Sequence, residues 1–147
     1  MSKPANPVET TDNLQDQTMQ RSNTDNAPRS AIHQTLYSAD TFVQHDYLAG
    51  KALPDIARPQ EGQINWLHFV GINDATLLKH ALEPYGIHEL VIEDILSRKQ
   101  RPKIEDYGSY VFTAAQVYHY TSTGKLHSDQ VYVIIGKDFV LSFQQKP

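Results

Sequence analysis

Glu93 and Asp94 stand side by side within residues 86–110, with Glu89 one turn earlier and Arg98, Lys99, Arg101 and Lys103 just after. Neighbouring carboxylates supply the oxygen ligands that hard cations such as Mg2+ and Ca2+ take. On a helix they are usually just a solvated face. Ile87, Leu90, Val91 and Ile95 recur at helical spacing and are expected to share one face. Asp94, three and four residues from Val91 and Leu90, then falls within or beside that apolar stripe. A carboxylate there requires a partner. Within the chain the expected one is Arg98, four residues on, in an exposed pair worth about 0.3–0.5 kcal/mol. If Asp94 is instead held at an interface, leaving it unpaired costs several kcal/mol, and a divalent cation would satisfy both its charge and its chemistry.

The remaining chemistry-bearing residues point to less. Seven histidines, His33, His45, His68, His80, His88, His119 and His127, are scattered without the close spacing of a zinc site. They read as strand, cap or surface residues, with His88 singled out because it opens the acidic helix. With no cysteine, thiolate metal sites and disulfides are excluded. No nucleophile elbow, phosphate-binding glycine loop or dinucleotide fingerprint is present, so the chain is not expected to be an enzyme. The basic run could hold a phosphate, but a formal net charge of −4 and the lack of interleaved aromatics argue against a nucleic-acid partner.

The elements that must position these residues can be read along the chain. Residues 1–30 are rich in Asn, Gln, Thr, Asp, Ser and Pro, bury too little to offset ordering, and are expected to be a disordered polar tail. Two β-prone runs, 32–37 and 41–48, flank Ser38-Ala39-Asp40 as a hairpin. Residues 53–62 read as connection with at most one helical turn. Residues 64–70 carry apolar groups on both faces, as in a strand covered on both sides. Asn73 or Asp74 caps a helix running to about Tyr85, which Gly86 ends. A second helix spans 88–97, with Glu89 near its positive end and Arg98 and Lys99 near its negative end, and Pro102 prevents continuation. Strands at 109–120, 130–135 and 139–143 finish the chain. The expected fold class is therefore α/β: a mixed sheet with a C-terminal antiparallel meander and helices packed on it. Helices for the second face of the sheet are not apparent, so the layered domain is expected to be truncated. No apolar run is long enough for a signal peptide or a transmembrane helix.

Gly-Ile-His-x-Leu-Val-Ile-Glu-Asp-Ile-Leu at 86–96 and Gln-Arg-Pro-Lys-Ile-Glu at 100–105 resemble the amino-terminal cytoplasmic domain of CorA-type magnesium transporters. The resemblance extends through Ile64-Asn65-Trp66-Leu67, Gly71-Ile72, Tyr110-Val111-Phe112, Asp129-Gln130-Val131 and Val140-Leu141-Ser142-Phe143-Gln144, covering about residues 31–145. It implies the soluble α/β domain of a homopentameric channel, lying in the cytoplasm while the parent protein sits in the inner membrane. In that family Mg2+ bound between protomers holds the pore closed. Asp94 matches the principal inter-protomer ligand and Glu93 a neighbouring contributor. The regulatory ion implied is Mg2+, with Co2+, Zn2+ and Ni2+ also admitted, and the partners are divalent cations and the other protomers.

Departures accompany the match. The stalk helix with its opposing acidic ligand, the two membrane spans and the Gly-Met-Asn motif do not appear in these 147 residues. Membrane association would run only through that missing C-terminal part. Lys99 stands where relatives can have a histidine, and Glu89 where proline usually follows the histidine. Two other readings stay open: a zinc-transporting relative, and a stand-alone, metal-free interaction module in which Asp94 pairs with Arg98.

Overall fold

The structure, a computed structural model, describes residues 30–50, 52–97 and 100–145. The expected polar tail thus lies, apart from Ser30, outside the described residues, and so do Arg98 and Lys99. Strands β1 (Ala31–Tyr37) and β2 (Phe42–Leu48) form the expected hairpin. Ser38 holds its turn, donating its backbone N–H to Thr41 O at 2.9 Å. Residues 53–63 contain a turn at Glu61-Gly62 but no helical turn. Strand β3 (Ile64–Val70) follows, and then helix α1 (Ala75–Leu82) starts at Asp74, whose carboxylate accepts from Leu77 N–H at 2.9 Å. This is the N-cap bond that a short acidic side chain provides.

Helix α1 tightens into a 3-10 turn, Glu83–Tyr85, where Pro84 lacks the donor a longer α-helix would need. Gly86 ends it in the left-handed region, at φ 61° and ψ 33°. A Cβ there would meet no neighbouring atom, so only the backbone opposes one. Gly86→Ala is therefore expected to cost about 1–2 kcal/mol, read as a lower urea midpoint at unchanged slope. Helix α2 (Glu89–Ser97) begins three residues later.

Four strands complete the chain: β4 (Lys103–Asp106), β5 (Tyr110–Tyr120), β6 (Leu126–Gly136) and β7 (Phe139–Gln144). Strand β4 was not expected; four residues of alternating exposure give too brief a pattern to distinguish from a loop. Strand β6 begins four residues earlier than its apolar run, because the polar segment 126–129 pairs with β5 across residues 117–120. The sheet has seven strands in the order β2-β1-β3-β7-β6-β5-β4. Only β3 and β7 pair in parallel; the other neighbours are antiparallel. The mixed sheet and its C-terminal meander are as expected.

Register aligns the core in rows. Ile32, Phe69, Phe143, Tyr132 and Ala114 are successive cross-strand partners, and Lys103 at the β4 edge ends the same row. Both helices cover this face, packing Leu78, Leu82, Val91, Ile92 and Ile95 onto it. A satisfied polar network lies at one end of the core. Gln34 Nε2 donates to Ala57 O (2.7 Å) and Asn65 Oδ1 (2.9 Å), and Asn65 Nδ2 donates to Tyr85 OH (2.8 Å). Tyr47 OH donates to Gln34 Oε1 and accepts from Ala57 N–H, each at 3.0 Å.

The other face departs from the expectation for β3. Trp66 is 43% exposed and Ile135 52% exposed on it. There Ser142 Oγ accepts from Trp66 Nε1 at 2.9 Å and contacts His68 Nδ1 at 2.8 Å. Among the described residues no helix covers that face. The apolar character of β3 on both sides is thus real in sequence, but among the described residues helices cover only one of them.

Candidate cation site

The helix that carries Glu93 and Asp94 is fixed at both ends. His88 N–H donates to Tyr110 OH at 3.0 Å, and the His88 ring nitrogen Nδ1 accepts from Leu90 N–H at 3.2 Å. His88 is therefore a capping residue. Glu89, placed where the resembling family usually has proline, bonds Lys79 of α1 at 2.5 Å. That exposed hydrogen bond raises the Lys79 pKa and lowers that of Glu89. The buried stripe of α2 is Val91, Ile92 and Ile95; Leu90, expected to be part of it, is 58% exposed. Successive residues are 100° apart, and the sheet lies on the Ile92 side of Val91 rather than the Leu90 side.

Asp94 lies where the stripe meets the surface, its side chain 22% exposed. Glu93 beside it is exposed. Among the described residues the Asp94 carboxylate has two partners, both C-terminal to the helix. Gln100 Nε2 donates to Oδ1 and Lys103 Nζ to Oδ2, each at 2.7 Å. Gln100 is itself anchored on β6: its backbone N–H donates to Gln130 Oε1 at 3.1 Å, and its carbonyl accepts from Gln130 Nε2. Tyr132 OH donates to that same Gln130 oxygen at 3.1 Å. Ser97 Oγ accepts from Gln100 Nε2 at 3.1 Å and donates to the Asp94 carbonyl at 2.9 Å.

Lys103 reaches Asp94 because the β4 register places it on the helix-covered face opposite Ala114. Its ammonium also bonds Glu105 at 3.0 Å and lies 5.5 Å from the centre of the Phe112 ring. The hydrogen bond to Asp94 raises the lysine pKa, against the opposing pull of burial. Burial pushes Tyr132 up to about 12, with the nearby Asp94 charge adding to it. Asp94 is therefore felt inside the core as well as at its rim.

The carboxylate expected from sequence to require a partner has two among the described residues, Lys103 and Gln100. The expected Arg98 pair lies outside the described residues. Of the remaining basic run, Arg101 is exposed and Lys103 is taken up by Asp94 and Glu105. Among the described residues no three metal-ligating side chains already stand together. Glu93 and Asp94 are two carboxylates on one helix, the first exposed and the second engaged by Gln100 and Lys103. Sequence reasoning missed Gln100 and Lys103 because nothing local links residues six and nine positions from Asp94 once the helix has ended.

The model of the CorA-like Mg2+ transporter protein family matches residues 61–147, more than half of the chain. The chain belongs to that family. Over 82 residues, 55% of its length, it is 40% identical to the cobalt/magnesium transport protein CorA of Thermotoga maritima, and it covers 23% of that relative. Among solved structures, the full-length CmaX protein superposes with a TM-score of 0.56 at 13% identity, over 84% of this chain and 37% of the other. The CorA magnesium transporter of Methanocaldococcus jannaschii gives 0.53 at 10% identity, over 80% and 32%. The cytoplasmic domain of ZntB from Vibrio parahaemolyticus gives 0.53 at 9% identity, over 80% and 44%. These structural likenesses concern the fold. The matched family segment contains β3, both helices and β4 to β7, hence the whole Asp94 site. Among the described residues, no helix is long and apolar enough to cross a membrane.

Proposed function

We propose that this chain is the cytoplasmic, cation-responsive domain of a CorA-type Mg2+/Co2+ transporter. In this reading the parent protein is a homopentamer in the inner membrane. Asp94, assisted by Glu93, contributes to a regulatory Mg2+ site that a neighbouring protomer completes, and emptying the site loosens subunit packing and opens the pore. The observation that carries the reading is the placement of Asp94 at the rim of α2, where the family segment supplies a fixed carboxylate beside an exposed one.

The donor set fits such an ion in part. Mg2+ keeps several waters and uses one or two carboxylates, so Glu93 and the remaining lone pairs of Asp94 suffice for one side of a shell. The Lys103 ammonium works against it, because a dication at Asp94 must share the carboxylate with a positive charge or displace it. Binding to the chain alone is accordingly weak, and affinity comes from a second protomer.

Two measurements test this. Calorimetry of the isolated chain is expected to show feeble Mg2+ binding; tight binding by a monomer overturns the split site. In the full-length parent, Asp94→Ala is expected to weaken Mg2+-dependent protection from proteolysis, and unchanged protection removes the metal role. The Lys103 partner favours one alternative, a metal-free interaction module in which Asp94 is a structural pair; unchanged protection supports it. The other alternative is a relative that carries Zn2+, and transport assays on the full-length parent separate the two cargoes.

A further inference from the structure

Beyond the helix-covered core, the β5–β6 hairpin continues as a two-stranded arm. From Gln116 outward, the β5 side chains are exposed on both faces. His119 and His127 lie directly opposite each other on this arm, with ring centroids 5.4 Å apart and planes tilted by 58°. Asp129, two residues along β6 from His127, points to the same face because strand side chains alternate. Its Oδ2 is 3.6 Å from His119 Nδ1 and its Oδ1 is 4.0 Å from His127 Nε2. Asp129 is only 23% exposed, yet among the described residues its carboxylate accepts no hydrogen bond. Among the described residues, the basic side chains within 4.0 Å of it are the two imidazoles. This face is opposite the one that carries Asp94, because Gln130 and Tyr132, which support Asp94, alternate with Asp129.

Two imidazoles and one carboxylate converging on one spot are the ligands of a borderline-soft dication. Imidazole nitrogen suits Zn2+, Co2+ and Ni2+, whereas Mg2+ prefers an all-oxygen octahedron. Around tetrahedral Zn2+, with bonds of about 2.0–2.1 Å, ligand atoms stand about 3.3 Å apart. The two nitrogen–oxygen separations, 3.6 and 4.0 Å to different Asp129 oxygens, exceed that by about 0.3 and 0.7 Å, so the half-exposed rings must turn inward to close on one ion. The three groups are not a finished ligand set; a cation would draw them in and replace the hydrogen bonds Asp129 lacks. The fourth position faces solvent and takes water.

We propose that His119, His127 and Asp129 form a binding site for a transition-metal dication of the Zn2+, Co2+ or Ni2+ class, separate from the Asp94 site. Calorimetric titration of the 147-residue chain with Zn2+ is expected to show one equivalent bound. His119→Ala and His127→Ala should each raise the dissociation constant by more than about tenfold, with Asp129→Asn giving a smaller increase in the same direction. Asp94→Asn should leave Zn2+ binding unchanged, so failure of this site and failure of the Mg2+ reading remain distinguishable. Loading with Co2+ provides a second readout: a visible absorption spectrum with nitrogen ligation, lost in both histidine variants while far-UV circular dichroism stays native. Absence of Zn2+ binding, Zn2+ affinity unchanged in the His119→Ala/His127→Ala variant, or equal competition by Mg2+ would each overturn the proposal.

Discussion

Gln34→Leu is expected to lower the stability of the domain by about 2–4 kcal/mol, because it leaves several buried polar groups without their partners. Gln34 is 1% exposed in the middle of β1. Its amide satisfies the Ala57 carbonyl, Asn65 Oδ1 and the Tyr47 hydroxyl, and so ties β2, β3 and the 52–62 connection together. Leucine has a similar volume and no polar atoms. It removes all three bonds, leaving the buried Asn65 Oδ1 and the part-buried Ala57 carbonyl and Tyr47 hydroxyl without that partner, and each orphan costs about 1–3 kcal/mol less whatever water can recover. For a domain with a total stability of about 5–15 kcal/mol, this is a large fraction. Urea denaturation monitored by Trp66 fluorescence measures it. A loss below about 1 kcal/mol would mean that the network contributes little beyond packing. The double variant Gln34→Leu/Asn65→Leu should cost less than the sum of its singles, because the two residues share one network.

Lys103→Met is expected to cost about 1–3 kcal/mol at neutral pH, since it keeps the stem over Phe112 but leaves Asp94, among the described residues, with Gln100 as its one side-chain partner. Lys103 and Asp94 are 28% and 22% exposed, covered enough that solvent does not cancel the pair. The sign of the pH dependence follows from the raised lysine pKa. A group whose folded pKa lies above its unfolded value contributes fully below the unfolded value and loses that contribution as pH rises through the folded one. The increment from Lys103 is therefore present up to the ordinary lysine value of 10.5 and lost above it. Tyr132 acts in the same direction, losing its contribution as pH climbs from 10.0 to about 12. Wild type should show an alkaline decline in stability that is shallower in Lys103→Met and in Tyr132→Phe. Parallel curves for wild type and Lys103→Met would remove the pair from the account. A double-mutant cycle with Asp94→Asn isolates the coupling, and its size bears on function. The stronger the lysine's hold on Asp94, the more a cation must supply to share that carboxylate.

Where the physics is local, the amino-acid sequence determined the outcome. Asp74 caps α1 and Gly86 ends its 3-10 extension, because an acidic N-cap and a left-handed C-cap need only their nearest neighbours. The helical spacing of Val91 and Ile95 located the buried stripe of α2, and it put Asp94 at the edge of that stripe with a partner required. The apolar runs of β5, β6 and β7 gave the meander. The specific block at 86–105 carried the family.

Tertiary structure decided who meets whom. Leu90 turned outward because the sheet approaches α2 from the Ile92 side, a direction that spacing within one helix does not contain. Gln34 and Asn65 read as ordinary strand polars until β1 and β3 aligned them in one buried network. Lys103 is a partner of Asp94 because the short β4 strand pairs with β5 in a register that puts it beneath α2. His119 and His127, eight residues apart, look unrelated until the hairpin sets them opposite each other beside Asp129. Register across a sheet brings together residues whose separation along the chain is arbitrary. No periodicity within a single element could therefore have named these pairs.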